Sequence, residues 1–178
     1  MKTPNMALAL ALVVTVNQAS AADLWGLLGN GDTTLPGGSV VYRLNNAAGV
    51  SVDVGLNFGE LTDGGYTSLQ LTAFKFSGKL NAQELQLFAS NVMQIAAACF
   101  NTDPSRAAAI QSWISANDAR EENFYYTAGT RFAEKSFGPL QLALEKRSNG
   151  KGRSMTVYLS RKGVPGQAPW IKSCSASG

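Results

Sequence analysis

Histidine is absent from all 178 residues, and the only two cysteines are Cys99 and Cys174. Without an imidazole there is no Ser-His-Asp or Cys-His nucleophile system and no His-ligated zinc site, so no metal or other cofactor is expected. Carboxylate, lysine and tyrosine chemistry remain, and no spacing announces any of them. Asp118 with Glu121 and Glu122 reads as a solvated acidic turn, since adjacent acids on a connector usually mean only exposure. Ser90 and Ser112 have no activating base at a motif spacing and read as helix packing residues. The stretch Gly29-Asn30-Gly31-Asp32 lacks the preceding strand and the lysine or third glycine of a phosphate-cradling loop. No catalytic residue is named, and the balance leans away from an enzyme.

The charges point instead to binding. From Asp23 to Glu122 there are five positive and ten negative residues, and from Asn123 onward nine positive and two negative. Six cations, Lys146, Arg147, Lys151, Arg153, Arg161 and Lys162, belong to one predicted hairpin and its ends. Such a cluster attracts phosphate- or carboxylate-bearing polymers by counterion release and field focusing. The plain alternative is a solvated hairpin whose charges block edge-to-edge pairing. Upstream, Phe124-Tyr125-Tyr126 with Arg131 is aromatic and cationic. One of the two tyrosines must face away from the core in an alternating strand, and there it can stack on a base, a sugar or a peptide side chain. Tyr125, Tyr126 and Arg131 therefore join the six cations as candidate binding residues.

The chain's first residues supply an address. Lys2, the apolar run Met6 to Val16 and the small residues Ala19-Ser20-Ala21-Ala22 have the order of a secretory signal peptide, cleaved before Ala22 or Asp23. The apolar run is shorter than the roughly 20 residues that a spanning helix needs. A secreted, periplasmic or cell-envelope location is expected, with no stable membrane span in the mature chain. Export permits oxidation, so one Cys99–Cys174 disulfide is expected.

The elements that must position these groups are legible from periodicity. Residues 1–22 form the leader, 23–38 an N-terminal arm with a Gly- and Pro-bearing loop, and 39–178 a single domain. Alternation predicts strands over Ser39–Leu44, Val50–Phe58 and Tyr66–Phe76. In the third, the phase changes from Leu69 and Leu71 to Phe74 and Phe76, which predicts a bulge near Thr72-Ala73. Asn81 and Glu84 form a capping box with a Leu80–Leu85 staple, and Leu85, Phe88, Val92, Ile95 and Cys99 follow at helical spacing. Asp103-Pro104 restarts a helix with Ala107, Ile110, Trp113 and Ile114 on its apolar side. The alanine runs 96–98 and 107–109 suit close helix approach. Strands over Phe124–Phe132, Leu140 onward and Met155 onward complete the list, and Trp170 and Cys174 pin the tail to the end of the first helix.

Strands, then two helices, then strands make an α+β fold: a largely antiparallel sheet of about five or six strands with helices packed on one face. The expected function is an exported binding or interaction module, contacting an envelope or extracellular protein or an anionic polymer such as DNA. The rivals are a histidine-free hydrolase using two carboxylates and a subunit of a surface assembly that docks through Leu24-Trp25-Gly26-Leu27-Leu28.

Overall fold

A computed structural model describes residues 22–24, 27, 33–35, 39–75, 78–119, 133–148 and 153–175. The expected α+β architecture is present: among the described residues there are one seven-stranded antiparallel sheet, two long helices and two small two-stranded ladders. The main sheet runs in the order β2 (Thr33–Leu35), β3 (Ser39–Asn45), β4 (Ser51–Phe58), β7 (Ser68–Lys75), β10 (Arg153–Arg161), β9 (Leu140–Ser148) and β8 (Ala133–Phe137). It has seven strands, because the connector supplies β2 and the residues before Gly138-Pro139 pair as β8. The expected strand Phe124–Phe132 lies outside the described residues. β5 (Leu61–Thr62) and β6 (Gly65–Tyr66) form a short hairpin, and β1 (Ala22–Asp23) pairs in parallel with β11 (Cys174–Ser175).

Turn chemistry sets the registers. Asp63 and Gly64 both take positive φ between the pair Thr62 and Gly65, the two-residue loop that suits the right-handed twist of a hairpin. Gly138 at φ 65° before Pro139 makes the same kind of tight connection from Phe137 to Leu140. Both loops carry side chains compatible with their backbone, so each strand pair enters in one phase.

No bulge interrupts β7. Its residues pair without a skip from Ser68 to Lys75 against β10, and from Leu69 to Phe74 against β4. Leu69, Leu71 and Ala73 face the helices and are buried, so Phe74 falls on the opposite face. The phase change seen in the sequence is produced by Ala73, a small inward residue, followed by an outward aromatic.

α1 (Ala82–Cys99) begins at the expected box: Asn81 Oδ1 accepts from the backbone N–H groups of Gln83 and Glu84, and Glu84 accepts from Asn81 N–H at 2.7 Å. Leu85, Phe88, Val92, Ile95 and Cys99 are buried against the sheet beside Val54, Leu56, Leu71 and Val157. A short 3-10 turn, Pro104–Arg106, capped by Asp103, leads into α2 (Ala107–Ala119), whose Ile110 and Ile114 are buried. Ser90 meets Gln111 across the two helices at 3.4 Å, whereas Ser112, Ala108 and Ala109 are exposed and take no part in that packing.

The tail closes as expected. Cys99 and Cys174 are disulfide-bonded, Trp170 Nε1 donates to Cys99 O at 2.9 Å, and Trp170 stacks on Phe100. The segment read as an arm is partly built into the domain, with Leu24 fully buried in the core and Leu27 packed against it. No described helix is long and apolar enough to cross a membrane.

Candidate functional site

Alternation along β9 and β10 distributes the hairpin cations over two faces and two ends. Lys146 lies on the helix side, and its Nζ donates to the carbonyls of Asn117 and Asp118 at 2.7 and 3.1 Å, the free carbonyls at the end of α2. A cation there complements the negative end of the helix dipole. Arg147, one residue on, lies on the opposite face and pairs with Glu145. Arg153 is exposed beside Lys75, its register partner on β7. Lys75 in turn pairs with Glu84 at 2.6 Å.

Arg161 and Lys162 sit at the far end of β10, eight residues and roughly 26 Å from Arg153 at the rise of a strand. Arg161 is buried; its Nη1 donates to Phe100 O at 2.7 Å and its guanidinium lies 5.1 Å from the Trp170 ring centroid. Burial lowers its pKa, and the cation–π contact with Trp170 offsets part of that desolvation. Its role is to hold the tail. Lys162 is exposed. Among the five described cations of the hairpin and its ends, period-two alternation and the length of β10 set Lys146, Arg147 and Arg153 apart from Arg161 and Lys162. Tyr125, Tyr126, Arg131 and Lys151 lie outside the described residues, as do Glu121 and Glu122.

The structure instead draws a row across four strand junctions on the face opposite the helices. Register places Arg43, Asp53, Phe74, Ser154 and Arg147 side by side on β3, β4, β7, β10 and β9. Arg43 grips Asp53 with two bonds, Nε to Oδ1 at 2.6 Å and Nη2 to Oδ2 at 3.2 Å. Phe74 is 40% exposed between the two arginines. Its ring leans over Gly55: a Cβ at that glycine would lie 2.8 Å from Phe74 Cε2. Gly55 therefore seats the ring, which a side chain there would displace.

Next to this row, on the same face and two residues along each strand, lies a satisfied polar layer. Thr72 and Thr156 share a hydroxyl hydrogen bond of 3.0 Å, and both are buried. Glu145, the next residue across from Thr156, is 1% exposed and accepts from Arg147 Nε and from Tyr158 Oη, the latter at 2.7 Å. Burial first, then the bond to the Glu145 carboxylate, push the Tyr158 hydroxyl up to about 12. This layer fixes the orientation of Arg147 and presents no vacant acid. Among the described residues Asp53, Glu84 and Glu145 are each held by a cation, and no group of three His, Cys, Asp or Glu side chains converges.

The sequence reading places Phe74 inward beyond a bulge, and Phe74, Arg43 and Asp53 are therefore not among its candidate site residues. The signal was present: counting Ala73 as inward keeps strict alternation from Leu69 and sends Phe74 outward. Comparison with protein-family models, curated proteins and solved structures finds no match for this chain.

Proposed function

We propose that this protein is an exported, non-enzymatic binding module that contacts an envelope or extracellular protein through the Arg43–Asp53–Phe74–Ser154–Arg147 row. The observation that carries the reading is Phe74: a large aromatic ring exposed on a rigid central strand and flanked by two arginines, each already oriented by a carboxylate. Aromatic and arginine side chains are the groups that dominate protein–protein interfaces, and fixed rotamers lose little entropy on docking. A polyanion is less well served. Arg43 and Arg147 are each offset by an acid, Lys146 is bonded to helix carbonyls and Arg161 is buried. Export is read from the leader over residues 1–22, and the Cys99–Cys174 bond suits an oxidising compartment.

The test is a photo-crosslinking residue placed at position 74 of the exported protein, with Gln94 on the exposed side of α1 as control. A discrete protein adduct from position 74 and none from position 94 is the expected result. Retention of the purified domain on heparin or DNA that falls steeply with salt would overturn the protein-partner reading in favour of an anionic polymer.

A further inference from the structure

We infer that the outer face of the sheet carries a second contact surface, separate from the Phe74 row, that takes a neutral polysaccharide. The surface is built from two rows. Register sets Asn57, Gln70, Tyr158 and Ala143 side by side on β4, β7, β10 and β9, and the next row places Ser160 beside Gln141. Leu69, Leu71, Val157, Leu159 and Leu142 are buried on the helix side, so alternation turns these six residues to the opposite face. Gln70 lies four residues along β7 from Phe74, roughly 13 Å away, with the buried Thr72–Thr156 pair between them.

Charge decides what such a face can hold. Among the described residues of the two rows, Glu134 on the edge strand β8 carries the one charge. Glu145, in the neighbouring row, is 1% exposed and already held by Arg147. A polyanion finds no cation in these rows to exchange for its counterions. A protein partner finds neither the arginine nor the large apolar anchor that dominates such contacts. What the strip offers is carboxamides, a serine hydroxyl and one aromatic ring, all on inner strands of the sheet.

A sugar presents the complement of those groups. A carboxamide sets an acceptor oxygen beside a donor NH2, and so pairs with adjacent hydroxyls, each of which also donates and accepts. Among the described residues the side-chain amides of Gln70 and Gln141 have no hydrogen-bond partner, which leaves both for a ligand. Tyr158 supplies the platform. Its hydroxyl donates to Glu145 Oε2 at 2.7 Å, and Glu145 lies two residues along β9 from Ala143, the residue opposite Tyr158. To reach it the ring lies along the sheet, where the Ala143 methyl leaves it room, so one ring face turns inward and the other outward. The negative face of an aromatic ring attracts the C–H groups of a pyranose laid flat on it.

The experiment is native electrophoresis of the purified protein in gels containing soluble dextran, mannan or hydroxyethylcellulose, beside a gel containing heparin. Retardation by at least one of the neutral polymers, equally strong in low and high salt, is expected, since no ion pair contributes to it. Gln70→Ala and Gln141→Ala should each weaken it about threefold to tenfold, the loss of one hydrogen bond. Tyr158→Leu should weaken it by about tenfold or more, whereas Tyr158→Phe keeps the ring and should bind within about threefold of the wild type. Near-UV circular dichroism checks that each variant keeps the native fold, and Gln94→Ala, on the exposed side of α1, should bind as the wild type does. No retardation in any of the three neutral gels, or unchanged binding in Gln70→Ala, Gln141→Ala and Tyr158→Leu alike, would overturn the inference. Retardation by heparin alone, falling with salt, would do the same and point to the cations instead. The surface does not rest on the Phe74 contact: an adduct at position 74 without neutral-polymer binding leaves that contact standing and overturns this one alone.

Discussion

Phe74 and Lys146 show how differently two exposed-looking residues can be employed. Phe74 touches Gly55 and solvent, so Phe74→Ala should change stability by only about 0.5 kcal/mol, as surface substitutions do, while abolishing the adduct or affinity of the proposed contact. Urea denaturation beside the binding measurement checks both halves. Lys146→Ala should behave in the opposite way, because it strips the carbonyls of Asn117 and Asp118 of their donor. A loss of about 1–2 kcal/mol with partner binding retained is expected. Tyr158 adds a pH signature. Its folded pKa, raised to about 12 by burial and by Glu145, lies above the ordinary tyrosine value near 10. Between those values the unfolded chain releases the proton and the folded one keeps it, so this residue's contribution is present below about pH 10 and is lost as pH rises toward 12. Tyr158→Phe should flatten the alkaline fall in stability measured by denaturation across that window. Neither Lys146 nor Tyr158 was distinguishable in the sequence, because their partners are 29 and 13 residues away.

Element boundaries follow local chemistry closely. The Asn81–Glu84 box satisfies three backbone N–H groups at the start of α1, and Glu84 also receives Lys75 from β7. Burial acts against the Glu84 charge, but Lys75 and the Asn81 N–H outweigh it, so its pKa is lowered. Its contribution is therefore present above the ordinary glutamate range and lost as pH falls through the lowered value. Asn81→Ala should cost about 1 kcal/mol at neutral pH, read by thermal or urea unfolding. Gly59 makes a sharper demand: a Cβ there would lie 2.1 Å from Ser68 Oγ and 2.8 Å from Ser68 O, across the backbone bond Gly59 N–H to Ser68 O. Gly59→Ala should destabilise by roughly 1–3 kcal/mol, since backbone must move to admit the methyl. The box was plain from four consecutive residues, whereas the need for glycine at 59 depends on how closely β7 approaches.

For the whole molecule, the bond between Cys99 and Cys174, 75 residues apart, ties the last turn of α1 to the tail that also pairs with β1. Opening it by replacing both cysteines with alanine should lower stability by about 4 kcal/mol in the chain-entropy model, measured by urea denaturation, and should release the N-terminal pair as well. Legible in the amino-acid order alone are the α+β class, α1 with its cap, the restart at Asp103-Pro104 that leads into α2, the core stripe from Leu85 to Cys99, the inner faces of the last hairpin and the single possible disulfide. Each of these follows from spacing within one segment or from a count of two. Which surface residues stand together follows from the fold alone. Register set Arg43 beside Asp53, Phe74 between Asp53 and Ser154, and Arg147 beyond Ser154, alternation sent Lys146 and Arg147 to opposite faces, and the length of β10 carried Arg161 away into the core beside Trp170. A cluster of charges in sequence is one-dimensional, and a strand disperses it in two directions at once: each residue flips the face and each adds about 3.3 Å of distance.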